Sequence, residues 1–489
     1  MIPIREYDHS NPAIQFSSDS TQRYKLYENY KDKIVINPDL TRPLVSFQAN
    51  KDVPFYRWLK YKEAFSHDLV EYIISKFRPK KTKPMILDPF AGIGTTLTTS
   101  TKNGWHATGI ELLPIGIEAM RARLLADAIN TDKFKFYMDR LRHLPVDSSQ
   151  LNSYKFQHIN ITKNAFPMDT EVALSVYMHF LDSIPEEDIR SMFRFACLSI
   201  LEEISYTRKD GQYLRWDYRS GKSIRSKFSK GKIHEFKPAV IGKLELILSD
   251  MKNLRNGGTF SHNVQIIQGS CLDELPKMPG GVFDLVLTSP PYCNRYDYTR
   301  TYALELAFMN YKEDDIKALR QTLLSATVEN RSKRDELRRQ YFDSGRGGLF
   351  NKAARIFDDQ RALHEVLDIL YNNKKELNNP NIPRMVENYF FEMNLVINEL
   401  YRVLAPGGKV VMVNDNVQYS GEEVPVDLIL SDFAFHAGYS IENIWVLPRG
   451  KGNSSQQMGT RGRNEIRKCI YVWTKQEVPC QMMESMQKI

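Results

Sequence analysis

The chain has 489 residues, 42% hydrophobic and 26% charged, the balance of a soluble globular protein with material for a large core. That length fits about two to three domains, or one catalytic domain carrying large insertions. The five cysteines (Cys197, Cys271, Cys293, Cys469 and Cys480) form no CxxC pair, which argues against a disulfide framework or zinc site, and no metal is expected. No stretch approaches the roughly eighteen apolar residues of a membrane span, MIPIREYDHS has no apolar signal region, and the net charge of +8 fits a polyanionic partner; a cytoplasmic protein is expected.

Residues 1–45 are polar, with Pro3, Pro12 and Pro38, and read as an N-terminal arm. Leu59, Phe65, Leu69, Tyr72, Ile73 and Phe77 recur near helical spacing and predict one helix over about 56–77, broken by the Pro79–Pro84 segment. Met85-Ile86-Leu87 then leads as a strand into Asp88-Pro89-Phe90-Ala91-Gly92-Ile93-Gly94-Thr95-Thr96, a glycine loop that opens a helix. The next strand, Trp105–Ile110, ends on Glu111. Strand–helix alternation lapses from 125 to 260 and resumes at Val264–Ile267 and at Phe283–Leu287, which runs into Thr288-Ser289-Pro290-Pro291-Tyr292. A charged, helix-rich segment occupies 311–385. The stripe Val386, Phe390, Met393, Ile397, Leu400 and Leu404 predicts a helix that Pro406-Gly407-Gly408 ends, turning into the strand Lys409–Val413. Last strands are expected near 440–447 and 469–474.

Parallel sheets bind nucleotides where a strand's carboxyl end meets a helix N-terminus. Gly92 and Gly94 give the backbone clearance for a ligand, and Glu111 stands where it can accept hydrogen bonds from two ribose hydroxyls. The dinucleotide fingerprint wants a small residue at position 97, and Leu97 argues against NAD or FAD. A nucleoside without a pyrophosphate suits the loop better.

Two prolines at a strand end fix an extended backbone and remove two N–H donors, so the corner presents carbonyls and the Ser289 hydroxyl as acceptors. Such acceptors suit a conjugated amino group. Hydrogen bonds to its protons favour a more tetrahedral nitrogen, better able to attack a methyl sulfonium. Tyr292 supplies a flat face for stacking a planar base.

The glycine loop together with Thr288–Tyr292 resembles the amino-methyltransferase family of bacterial DNA modification enzymes, which methylate cytosine N4 or adenine N6. The resemblance extends to Tyr61-Lys62-Glu63-Ala64-Phe65-Ser66, similar to the family's cofactor-contacting segment, and to Leu404-Ala405-Pro406-Gly407-Gly408-Lys409; it covers roughly 50–120 and 262–475. It implies an α/β, Rossmann-like S-adenosylmethionine-dependent methyltransferase core (46–124 and 261–475) with two large insertions, at 125–260 and 311–385. Phe65, Ser66, Asp88, Phe90, Gly92, Gly94, Thr95 and Glu111 are then the expected cofactor residues. Ser270, where the family usually has an aspartate, is expected to join them through its hydroxyl. Ser289, Pro290, Pro291 and Tyr292 are the expected catalytic residues, and serine before Pro-Pro is associated with cytosine N4. Adenine N6 methylation and a catalytically silent nucleic-acid-binding partner in a defence system are the rival expectations.

Double-stranded DNA is the expected partner, with a cognate restriction endonuclease possible and the nucleoid the expected location. Between Arg215 and Lys243 nine basic residues face two acids, with Trp216, Tyr218, Phe228 and Phe236 interleaved. That composition makes 125–260 the expected target-recognition region, with Arg215, Arg219, Lys222, Arg225, Lys227 and Lys230 as candidate DNA contacts. Arg449 and Lys451, in a polar loop between the late strands, are further candidates. The 311–385 insertion is expected to clamp DNA or mediate dimerisation.

Overall fold

The computed structural model describes residues 21–145, 154–210, 213–222, 227–255, 263–448 and 466–477. Its strands are, in chain order, β1 (Ile34–Ile36), β2 (Met85–Asp88), β3 (His106–Glu111), β4 (Thr207–Asp210), β5 (Tyr213–Trp216), β6 (Val264–Gln268), β7 (Phe283–Thr288), β8 (Leu404–Asp415), β9 (Val417–Tyr419), β10 (Glu422–Val424), β11 (Tyr439–Val446) and β12 (Lys468–Lys475). Eight of them form one sheet in the order β1-β11-β12-β8-β7-β2-β3-β6. Only β12 runs antiparallel to its neighbours, β11 and β8; every other pairing is parallel. Parallel strands are covered on both faces and therefore read as apolar runs. Ile86, Leu87, Leu285, Val286 and Leu287 are all fully buried.

One face carries the helices His67–Lys76 and Thr95–Lys102, packed through Leu69, Ile73 and Leu97. The other carries Ile382–Val403 and Val426–Ala437. The predicted stripe of the first of these is buried, and Pro406-Gly407-Gly408 follows it, but the strand starts earlier than expected. Leu404 already pairs with Phe283, and the turn forms a bulge before Lys409 pairs with Leu285. The 311–385 segment is helical as expected. Its helices Gly347–Asp359 and Arg361–Asn372 send Phe350, Phe357, Leu363 and Val366 into this same core.

The described residues of 125–260 form a helical lobe around Thr131–His143, Met168–Asp182, Glu187–Ile200 and Phe236–Arg255, with the paired strands β4 and β5 on it. Phe134 and Phe193 meet edge-on at its centre, 4.9 Å apart. Its apolar core is continuous with Trp58, Ile115 and Ala119 of the sheet domain. Asp250, fully buried in the lobe, accepts hydrogen bonds from Phe55 N (3.0 Å) and Trp58 Nε1 (2.8 Å) and pairs with Arg57, fixing the segment ahead of residue 61.

Two expectations are corrected. The described part of the N-terminal arm is not a free arm: Thr21–Tyr30 is helical, β1 pairs with β11, and the fully buried Arg23 bonds Glu365 and Glu422. The single helix over 56–77 is a short turn at Tyr56–Trp58 and a helix confined to His67–Lys76. Ser66 supplies the N-cap, accepting from Leu69 N at 3.2 Å, so the helix starts there and 59–66 remain irregular.

Candidate active site

The carboxyl ends of β2, β3, β6 and β7 converge where strand order reverses, β3 and β6 lying on one side of β2 and β7 and β8 on the other. Asp88 closes β2, and its Oδ1 accepts from Phe90 N (3.1 Å) and Thr288 Oγ1 (2.7 Å), its Oδ2 from Thr96 Oγ1 (2.7 Å). Burial pushes its carboxyl up to about 6 despite these three donors. Gly92, at φ 54°, donates its N–H to Glu111 Oε2 at 2.6 Å, and Leu113 N donates to Oε1 at 2.6 Å. Glu111 is likewise raised by burial, to about 7.

The loop is close-packed from behind. A Cβ on Gly116 would lie 2.3 Å from Gly92 O, so the third glycine of the turn comes from the following helix, Pro114–Leu125. Leu97 fits because Gly109 leaves it room: a Cβ there would come within 2.8 Å of its methyls.

A cavity opens over these strand ends. Of the expected cofactor and catalytic residues, Phe65, Asp88, Phe90, Gly92, Thr95, Glu111, Ser270, Ser289 and Pro291 line it. Ser66 does not. Its hydroxyl caps a helix and donates to Leu44 O at 2.6 Å, which corrects its assignment as a cofactor contact. Gly94 does not line it either: with φ 76° it begins the helix Thr95–Lys102 against Met120, a turn requirement rather than a contact. Tyr292 and Pro290 sit behind the lining, with Ser289 Oγ donating to the Tyr292 hydroxyl at 3.3 Å. Ser270 Oγ accepts from Leu272 N at 3.3 Å and caps the short helix Cys271–Glu274.

Tyr61, Glu63, Leu112, Tyr298, Leu323 and Leu324 also line the cavity and were not singled out as sites from the sequence. Tyr61 and Glu63 lie inside the segment already matched to the family, and Leu112 follows the acid directly. Nothing in the local pattern around Leu323 and Leu324 marks them. Cys293, next to the corner, is fully buried, and burial pushes its thiol well above the ordinary range.

The residues fit a nucleoside that carries an amino-acid arm. Thr95 Oγ1 is buried with no hydrogen-bond partner among the described residues, at the N-terminus of a helix on the cavity wall. Phe90 and Leu112 offer apolar faces that would suit a purine, and the Glu111 carboxylate on the same wall would suit ribose hydroxyls.

Several cations of the lobe's basic stretch also hold groups within it. Arg219 grips Asp217 at 2.7 and 2.9 Å, Lys222 Nζ donates to Ile161 O at 2.7 Å, and Lys230 Nζ donates to Ser205 O at 2.8 Å. The interleaved aromatics pair with these cations: Lys222 lies 3.9 Å from the Trp216 ring centre and Arg215 4.1 Å from that of Phe228. Burial lowers Lys230 to about 8. Arg219, Lys222 and Lys230 therefore brace the lobe. Arg215, bridged to Asp210 but nearly half exposed, and Lys227 are open to solvent, and Arg219 and Lys222 are exposed as well while making these bonds. Arg225, Arg449 and Lys451 lie outside the described residues. No described helix is long and apolar enough to cross a membrane.

A doubly wound sheet with a glycine loop, a buried acid after the next strand and Ser-Pro-Pro-Tyr facing them across one cavity defines a Rossmann-like methyltransferase. No family model matches the chain. It is 46% identical over 461 residues, 92% of each chain, to Type II methyltransferase M.AvaI of Nostoc sp.. It is 39% identical over 491 residues, 96% of this chain and 94% of the relative, to Type II methyltransferase M.BsoBI of Geobacillus stearothermophilus. Over 404 residues it is 23% identical to Type II methyltransferase M.MvaI of Kocuria varians, covering 79% and 82%. The chain belongs to the type II methyltransferases, DNA-modifying enzymes of restriction–modification systems that use S-adenosylmethionine as methyl donor.

Proposed function

We propose that the enzyme methylates the exocyclic N4 of cytosine in duplex DNA at a specific sequence, with the base flipped out of the helix so that its amino group reaches the cavity. The observation that carries this reading is Ser289 on the cavity wall, where an acidic side chain would otherwise meet an amino group. Its hydroxyl and the Pro290 carbonyl are suited to accept from the two amino protons, with Tyr292 behind them as the stacking face. Phe65, Asp88, Phe90, Gly92, Thr95, Glu111 and Ser270 hold the donor, which supplies a sulfonium-activated methyl group. The buried, protonated Cys293 thiol supports a reaction without a covalent protein intermediate. The chain's contribution is then chiefly positioning.

The helical lobe at 125–260 reads the target, with Arg215 and Lys227 among its phosphate contacts, and a cognate restriction endonuclease acts at the same sequence. A cytoplasmic, nucleoid-associated location follows from that substrate. The test is incubation with unmethylated genomic DNA and labelled S-adenosylmethionine, then nucleoside digestion and mass spectrometry. N4-methylcytosine is expected. N6-methyladenine overturns the base assignment and keeps the enzyme, and no modified nucleoside overturns both.

A further inference from the structure

The three carboxylates on the cavity wall are not equivalent. Asp88 and Glu111 stand on strand ends: Asp88 accepts from Phe90 N, Thr96 and Thr288, and Glu111 from the backbone amides of Gly92 and Leu113. Glu63 comes from the irregular segment ahead of the sheet and is held by a different set of groups. Tyr296 donates its hydroxyl to Oε1, and Tyr302 donates to Oε2 at 2.5 Å. With one phenol on each oxygen, both oxygens keep a lone pair. Tyr296 and Tyr302 follow the Ser-Pro-Pro-Tyr corner, so Glu63 is tied to the wall that carries Ser289 and Pro291, across from the glycine loop.

This hold is well braced. Tyr302 is fully buried and stacks on Tyr61, ring centres 5.0 Å apart and planes 11° from parallel. Lys209, from β4, lies 4.4 Å from the centre of the Tyr302 ring and forms a buried ion pair with Glu305. Lys62 donates to Lys209 O, closing the bracket around Glu63. Burial pushes both phenols well above their ordinary range, so they remain donors.

A carboxylate fixed in this way has a use in a cavity whose ligand loses a positive charge during each turnover. The methyl donor is a sulfonium cation, and the demethylated product is a neutral thioether of nearly the same shape. We propose that Glu63 is the specificity-determining residue that tells the two apart, favouring the cationic donor and letting the neutral product go. The role depends on the donor and is the same whichever amino group is methylated. Contacts to the nucleoside and amino-acid ends cannot make this distinction, since the lost methyl leaves both unchanged. A charge on the corner side of the cavity can.

The test is direct binding, by equilibrium dialysis, of S-adenosylmethionine and S-adenosylhomocysteine to the full chain and to Glu63→Gln. The variant is expected to bind S-adenosylmethionine about tenfold more weakly while its affinity for S-adenosylhomocysteine changes less than about twofold. An equal loss for both ligands overturns the proposal, because Glu63 would then face a group they share or serve the fold alone. No loss for either also overturns it. Tyr302→Phe removes one hydroxyl from Glu63 and leaves the ring stack on Tyr61, which keeps the question open to measurement if Glu63→Gln does not fold. It is expected to lower the ratio of the two affinities about two- to threefold, and an unchanged ratio counts against the proposal.

Discussion

Thr288 Oγ1 donates a 2.7 Å hydrogen bond to Asp88 Oδ1, and both side chains are buried. Thr288 is the last residue of β7 before the Ser-Pro-Pro-Tyr corner, and Asp88 is the last of β2 before the glycine loop. Two motifs two hundred residues apart are thus joined by one bond. Thr288→Val keeps the shape and removes the donor. Because the acceptor is a buried carboxylate, it is expected to cost about 2 kcal/mol in thermal or urea unfolding. S-adenosylmethionine affinity is expected to fall with it, measured by dialysis.

Tyr292 lies outside the lining of the donor cavity and touches it through Ser289. Tyr292→Ala is expected to lower turnover by about a hundredfold, a loss of positioning, while the affinity for S-adenosylmethionine stays within about twofold. Equal losses in both would merge the donor site and the corner into one.

Glu111 is raised to about 7 by burial, and the proposed role of accepting from the donor's ribose hydroxyls requires it as a carboxylate. Binding therefore selects the deprotonated form, and affinity falls as pH drops through 7. Linkage gives an S-adenosylmethionine affinity about fivefold weaker at pH 6 than at pH 7. Glu111→Gln should bind weakly at both and show a flat profile over that interval. In the protein without donor the sign is opposite: the native state holds this proton more tightly than the unfolded chain, so the group's contribution to stability grows as pH falls from about 7 toward its ordinary value near 4.5.

Gly116 faces the glycine loop with no room for a methyl, since the obstructing atom is the backbone oxygen of Gly92. Gly116→Ala is expected to destabilise the fold by about 1–3 kcal/mol and to displace the loop. Isothermal titration should then show donor binding lost in protein that remains folded by circular dichroism.

Neutralising Arg215 and Lys227 together is expected to reduce the salt dependence of DNA binding by roughly one to two phosphate contacts. Lys230→Met, by contrast, should lower the thermal midpoint and leave the salt slope unchanged, because that ammonium is committed to Glu202 O and Ser205 O. A slope that responds to Lys230 and not to the exposed pair would move the DNA face.

The sheet's glycine loop, its acid, the corner and the late strands were legible because each is a local pattern of apolar run, turn residue and polar end. What was not legible depends on partners far along the chain. Arg23 and β1 read as a polar arm because the groups that bury them, Glu365, Glu422 and β11, lie hundreds of residues away. Periodicity ran through Ser66 because Leu59 and Phe65 are buried from an irregular backbone and mimic a helical stripe. The basic stretch from Arg215 looked like a nucleic-acid face by composition, yet carbonyl acceptors, which leave no mark in a sequence, hold Lys222 and Lys230. Leu323 and Leu324 reach the cavity only through the packing of the 311–385 helices.

The pairing of Ile34 with Ile444 has a consequence in time as well as in space. During synthesis β1 must wait for β11, the seventh in chain order of the sheet's eight described strands, to be made. Until then β1 has no strand to pair with, although the glycine loop and its two neighbouring strands are already available to fold. A copy broken off before that point carries the donor-binding turn in an unfinished sheet with an open edge. Such a copy leaves β1 without its partner, and the exposed edge is expected to invite proteolysis.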